Sequence, residues 1–181
     1  IADFAARALR HGAKRLVMLS GRGEDAAQDA ERTLRNSGAD WTVLRANWFF
    51  QNFSEDLFLP YLQNGVLALP AGDIPEPFVD ADDIAECAVT AILDPAHIGK
   101  TYELSGPDAL TFEDATAIIA SSANPDDVRG LIRYLFSEVL DGRNKAPTGD
   151  IEQILGRKPK PLRTYANEAA QTGVWGTPDK S

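Results

Sequence analysis

Residues 14–53 constrain the fold of this chain more than any other stretch. Lys14–Ser20 (KRLVMLS) is an apolar run of strand length, and Gly21-Arg22-Gly23 follows it as a turn. Next come a helical pattern over 25–37, a second strand-like run over 41–45, and a loop crowded with Trp48, Phe49, Phe50 and Phe53. Strand, turn, helix, strand is the half-unit of an open parallel α/β sheet. Such sheets bind ligands at the carboxyl ends of their strands. Ser20–Gly21 and Ala46–Phe49 fall at those ends, so chemistry is expected there.

The remaining pattern alternates in the same way. Helices are expected at 1–11, 54–63, 81–93, 112–121, 126–140, 149–155 and 162–171, with a strand at 100–104 and a short apolar run at Val66–Leu69. The opening helix sets Ile1, Phe4, Ala5, Ala8 and Leu9 on one face that needs a partner surface. Helix 81–93 aligns Ala81, Ile84, Ala85, Ala88 and Ile92, and helix 126–140 aligns Val128, Leu131, Ile132, Leu135 and Val139. Asp80 with Asp83, and Thr111 with Asp114, have the spacing of helix-capping pairs, and Gly38 suits a left-handed helix end. Three strands would leave long unpaired edges. The expected class is therefore α/β: the carboxyl-terminal part of a parallel sheet whose first strands precede this sequence, with a small helical lobe after it. Residues 1–110 form the sheet part, with pocket segments inserted at 46–79, and 111–181 form a mostly helical substrate lobe and tail.

Composition excludes several classes. With 181 residues, a net charge of −9 and a pI near 4.7, no basic surface for direct nucleic-acid binding is expected. The basic cluster Arg157-Lys158-Pro159-Lys160 reads as a solvated loop. A single cysteine, Cys87, allows no internal disulfide or thiolate metal site, and its alanine-rich neighbours suggest a small buried residue. His11 and His97 lack a metal-ligand spacing, so no metal is expected. No apolar run reaches membrane-spanning length and no signal peptide is evident, which makes a cytoplasmic location the default.

Gly21-Arg22-Gly23-Glu24-Asp25-Ala26 imitates the loose dinucleotide fingerprint between a strand and a helix. Glu24 and Asp25, however, would put two carboxylates where a dianionic pyrophosphate must sit. The acidic residue expected to close the next strand is missing, because that strand ends in Leu44-Arg45. The acids are better explained as partners of the helix dipole. The aromatic loop is a plausible ligand wall, with Asn47, Gln51 and Asn52 offering polar orientation; the same rings could equally bury an interface between lobes.

The stretches LSGRGE, AERTLRNSGADWTVLRANWFFQNFSE and PFVDADDIAECA, with YLFSEVLDGRN and the tail ILGRKPKPLRTYANEAAQTGVW, carry a resemblance across nearly the whole chain. They resemble the NmrA-like branch of atypical short-chain dehydrogenase/reductases, most of all bacterial relatives of the agroclavine dehydrogenase (ergot alkaloid biosynthesis) group. The resemblance implies a Rossmann-type NAD(P)-binding fold whose glycine-rich loop, TGxTGxxG in type, lies outside this sequence. It also implies a longer segment where this chain has Ser121–Pro125. The cofactor would be NADP or NAD, with NADPH favoured. Contacts to it would come from Ser20, Gly21, Ala46, Asn47 and Trp48, while Phe49, Asn52, Phe53 and Phe78 would face substrate.

The catalytic residues are left unassigned. A Tyr-x-x-x-Lys pair, in which the lysine activates a phenol for proton transfer, is absent. Four residues beyond Tyr61, Tyr102, Tyr134 and Tyr165 stand Gly65, Gly106, Glu138 and Ala169. By register from Glu31, the relevant helix offers Gly23 and Ala27 instead. Reduction of an iminium needs no proton in the hydride step, so the expected activity is reduction of an imine, iminium or conjugated small molecule. Asp80 and Asp83 could be charge partners for such a cation, but helix capping explains them better. The absence of the dyad equally fits an NmrA-type redox sensor that binds the dinucleotide without consuming it and acts through a protein partner. A homodimer is compatible with either reading.

Overall fold

The computed structural model describes residues 1–55, 58–63, 74–122 and 144–175. The strand expected at 66–69, the helix at 126–140 and most of the junction at 121–125 lie outside the described residues. The elements run α1 (Ala2–Arg10), β1 (Arg15–Gly21), α2 (Asp25–Arg35), β2 (Asp40–Ala46), a 3-10 turn (Phe50–Phe53), α3 (Leu59–Gln63), α4 (Ala81–Leu93), β3 (Lys100–Leu104), α5 (Phe112–Ser122), α6 (Asp150–Leu155) and α7 (Leu162–Gln171). A second short 3-10 turn, Pro95–His97, leads into β3.

The three strands form one parallel sheet in the order β1-β2-β3. Central β2 buries Thr42, Val43, Leu44 and Ala46 almost without alternation, as a strand covered on both faces must. Thr42 donates its hydroxyl to the His97 carbonyl at 2.7 Å, which removes the cost of burying it. Among the described residues the outer edge of β1 has no strand partner, and Leu19 beside it is 51% exposed. Ile1 and Phe4 on α1 are also exposed, and only Ala5 of that helix is buried.

Two hydrophobic cores organise the molecule. The sheet core joins Leu44, Ala46, Val79, Ile84, Cys87, Tyr102 and Leu104 with Ile151 and Ile154 of α6. The second, aromatic core joins Phe50, Phe53, Phe58, Phe78 and Phe112 with Leu162, Tyr165 and Trp175. Burial of each such ring contributes roughly 1.5–3 kcal/mol. The loop after β2 therefore forms the main link between the sheet and the helices that follow. Core membership also crosses residue 110, since α6 belongs with the sheet whereas α5 and α7 belong with the aromatic core.

Three local expectations need correction. The helix expected over 54–63 begins only at Leu59, after a 3-10 turn. Pro60 has no N–H and is tolerated only in a first helical turn, so the helix cannot start much earlier. Helix α4 keeps Ile84 and Ala88 of the expected stripe on the sheet core but is rotated from the rest of it. Asp83, Ile84, Cys87 and Ala91 are buried, whereas Ala85 is exposed, as are Val89, Ile92 and Leu93. Ion pairing of Asp83 and the small Cys87 allow that rotation. The segment Arg157–Lys160 is no solvated loop: Arg157 pairs with buried Asp83 at 2.8 Å and Lys160 with buried Asp80 at 2.7 Å.

Thr111 and Asp114 form a reciprocal box, with Asp114 N–H donating to Thr111 Oγ1 at 3.0 Å and Thr111 N–H to Asp114 Oδ2 at 3.1 Å. Asp80 caps α4 by accepting from Asp82 N–H, but Asp83 turns away to accept from the Lys160 backbone N–H at 2.6 Å. Gly38, at φ +84°, takes the left-handed conformation that closes the α2 end.

Candidate functional site

Parallel pairing brings Gly21, Ala46 and Leu104 to one rim at the carboxyl ends of the strands. Backbone bonds continue the ladder just beyond it, from Arg22 N–H to Ala46 O and from Asn47 N–H to Leu104 O. Four segments converge on this rim: the turn after β1, the aromatic loop after β2, the loop after β3 and residues 144–149.

One step below the rim, Ser20, Arg45 and Glu103 lie in register across the three strands and face α2. Glu31 of α2 is fully buried against them. It accepts from Ser20 Oγ at 2.8 Å, from Arg45 Nε and Nη2 at 2.9 and 2.8 Å, and from Arg35 Nη2 at 2.8 Å. The Arg45 hydrogen bond, helped by Ser20 and Arg35, outweighs burial and holds the Glu31 carboxyl below the ordinary carboxylate range. Arg45 also reaches Glu103 at 3.5 Å. Ser20 is therefore committed inward to Glu31.

Arg22 occupies the rim itself with its side chain 10% exposed. Its Nε donates to Glu103 Oε2 at 2.9 Å, and its Nη1 donates to Asn47 Oδ1 at 3.1 Å, Asn144 O at 3.1 Å and Ala146 O at 2.9 Å. Asn144 Nδ2 donates back to Arg22 O at 2.9 Å. Asn47, 6% exposed, donates through Nδ2 to buried Glu76 at 2.9 Å, so both ends of its amide are fixed by the protein. Thr148 N–H donates to Ser105 Oγ, and Glu103 N–H to Asp150 Oδ2, which ties the 144–150 segment along β3.

The expected pocket residues separate into two groups. Trp48, Phe49 and Asn52 are half-buried and can meet a ligand. Phe53 and Phe78 are fully packed in the aromatic core, with ring centroids 5.4 Å apart and Phe78 at 4.8 Å from Phe112. Trp48 stacks on Phe58 at 6.1 Å, whereas the next residue, Phe49, packs on the sheet core. Among the described residues no cluster of His, Cys, Asp or Glu could hold a metal, and no helix is long and apolar enough to cross a membrane.

Asp80 and Asp83 are neutralised by Lys160 and Arg157, and Asp80 also accepts from Gln51 of the aromatic loop. Burial alone would raise the Asp80 carboxyl, but hydrogen bonds from Lys160, Gln51 and the Asp82 amide hold it below the usual range. Burial, then the Asp83 charge, pushes the Cys87 thiol up to about 12, so it is no nucleophile.

At Gly21–Ala26 the site for a pyrophosphate is filled: a Cβ on Gly21 would meet Glu24 Cδ at 2.5 Å, so the Glu24 carboxylate folds over the glycine. That loop does not fit the phosphates. The rim offers a half-buried indole at Trp48, the backbone of Gly21 and Ala46, and a fixed amide at Asn47. Sequence reasoning missed Arg22, Glu76 and the 144–150 segment. Arg22 had a signal, as the arginine between two glycines at a strand end. The long-range partners had none.

A parallel sheet whose strand ends meet a helical, aromatic lobe is a Rossmann-like arrangement, and comparison with known proteins gives the family. The chain is 35% identical over 199 residues to the (4-alkanoyl-5-oxo-2,5-dihydrofuran-3-yl)methyl phosphate reductase of Streptomyces griseus subsp. griseus, covering 94% of this chain and 70% of the relative. It is 32% identical over 125 residues to agroclavine dehydrogenase of Claviceps fusiformis, covering 65% of this chain and 42% of that enzyme. The crystal structure of an NADPH-dependent quinone oxidoreductase from Escherichia coli superposes with a TM-score of 0.74 at 19% identity, over 95% of this chain and 72% of that one. No established family profile matches. The chain belongs to the NAD(P)H-dependent oxidoreductases of the NmrA/epimerase-like fold, which include clavine-related enzymes.

Proposed function

We propose that this protein uses NADPH to reduce an imine, iminium or conjugated small-molecule acceptor at the strand-end rim, without a Tyr-x-x-x-Lys dyad. The observation that carries the reading is the commitment of Ser20, the strand-end hydroxyl, to buried Glu31 rather than to the rim. Bound NADPH would supply a hydride. The backbone at Gly21 and Ala46 and the half-buried Trp48 would hold the nicotinamide end, and Phe49 and Asn52 would meet the acceptor. Phe53 and Phe78 shape that pocket from behind, by fixing the loop, rather than by touching the ligand. An acceptor that is already electron-poor needs no protonation in the same step, which suits a rim without an activated phenol. Binding of the pyrophosphate falls to residues other than Gly21–Ala26.

The test compares acceptors. Purified protein should oxidise NADPH with a 3,4-dihydroisoquinolinium salt or an unsaturated lactone, and not with a simple aliphatic ketone. Preference for the ketone would overturn the reading. Binding without consumption by any acceptor class would favour the redox sensor instead.

A further inference from the structure

We infer that Arg22 is a positioning residue of the rim, acting on the nicotinamide end of the dinucleotide site through Asn47 and the Asn144–Ala146 backbone. The inference deepens the reading above and rests on it. Arg22 bonds to groups from three directions at once: Glu103 of β3, the Asn47 amide after β2, and two carbonyls of a segment more than a hundred residues away. The guanidinium reaches them from two nitrogens, Nε toward Glu103 and Nη1 toward the other three acceptors, a spread that the single nitrogen of a lysine does not reproduce.

The consequence for Asn47 is specific. Its Oδ1 accepts from Arg22 and its Nδ2 donates to Glu76, so its orientation is set by one donor on one side and one acceptor on the other. Without Arg22, Oδ1 loses its donor and the amide is held at one end only, by Glu76. The backbone of Asn47 holds the β2 end to Leu104, and Trp48 follows directly. A misplaced Asn47 therefore shifts the apolar wall as well as the polar atoms. On the other side, Arg22 and Asn144 exchange hydrogen bonds, which pins residues 144–146 against the β1 end. Gly21–Ala26, by contrast, carries the Glu24 carboxylate over Gly21, and the Arg22 donors are already engaged by protein acceptors.

The test separates the two ends of the cofactor. Affinity for NADPH and for 2′,5′-ADP, which lacks the nicotinamide, is measured for wild type, Arg22→Lys and Arg22→Ala, together with thermal stability. We expect NADPH to bind about tenfold more weakly to both variants while 2′,5′-ADP affinity stays within about twofold. Added guanidinium at about 20 mM should restore NADPH binding to Arg22→Ala and not to Arg22→Lys, because only the alanine leaves room for it. Should the alanine variant fail to fold, the lysine variant still gives the comparison between the two ligands. Unchanged NADPH affinity, or parallel weakening of both ligands, would overturn the inference and leave the site reading standing. A wild-type protein that binds neither ligand would overturn the site reading itself, and the inference with it.

Discussion

Replacing Glu31 by glutamine strips the sheet face beneath α2 of a fully buried charge. The carboxylate accepts two bonds from Arg45, one from Arg35 and one from Ser20, all between 2.8 and 2.9 Å. Glutamine keeps the shape but turns one acceptor oxygen into a donor facing guanidinium groups. Breaking a buried ion pair costs about 3–5 kcal/mol when the surviving partner is trapped. Here Arg35 and Arg45 are 31% and 22% exposed and can partly rehydrate, so about 3 kcal/mol is the better figure. In a chain of this size that lowers Tm by about 6–12 °C. The pH dependence has a definite sign. The folded-state carboxyl lies below its unfolded value of 4.5, so its stabilisation is fully present above that value. It is lost as pH falls through the folded pKa. Urea unfolding at neutral pH and at stepwise lower pH should show the gap between wild type and Glu31→Gln closing only in the acid range. A gap under about 0.5 kcal/mol at neutral pH, or one that widens on acidification, would refute the reasoning.

Three further outcomes follow from the same structure. Lys160→Met leaves buried Asp80 without its counterion, so unfolding at neutral pH should show a loss of about 2–4 kcal/mol that shrinks in acid as the carboxyl protonates. Gly106→Ala puts a Cβ 1.9 Å from the Phe78 carbonyl oxygen and should cost about 2–3 kcal/mol, whereas Gly21→Ala meets only the flexible end of Glu24 and should change unfolding by less than about 1 kcal/mol. Cys87, fully buried with its thiol pushed up to about 12, should resist iodoacetamide at pH 8 in the native protein and react at once in denaturing urea, as read by intact mass.

Much of the fold was legible because local chemistry and tertiary structure agree. The strands at 15–20, 41–45 and 100–104 carry their own apolar runs, and Thr111, Asp114 and Gly38 announce helix ends that the structure forms. Helix α4 was harder, because its inward face includes Asp83, a residue that periodicity assigns to solvent. Arg157 and the Lys160 backbone N–H, both from the segment between α6 and α7, offset that burial. The same blindness hid the role of Lys160. At the site, the sequence placed Ser20, Ala46, Asn47 and Trp48 at strand ends but could not say which side chains were already engaged. Ser20 and Asn47 are both committed to protein partners, one to Glu31 and the other to Arg22 and Glu76. Pairings of that kind join residues far apart in the chain and leave no spacing to read.

The most direct measurement is an NMR titration of 15N-labelled protein with NADPH, followed residue by residue. Saturable shifts are expected at Ser20–Arg22, Ala46–Trp48 and Asn144–Ala146, with α1 and the Arg157–Lys160 segment unmoved. Shifts confined to α1 or to the tail, or none at all, would contradict a dinucleotide site at the carboxyl ends of these strands.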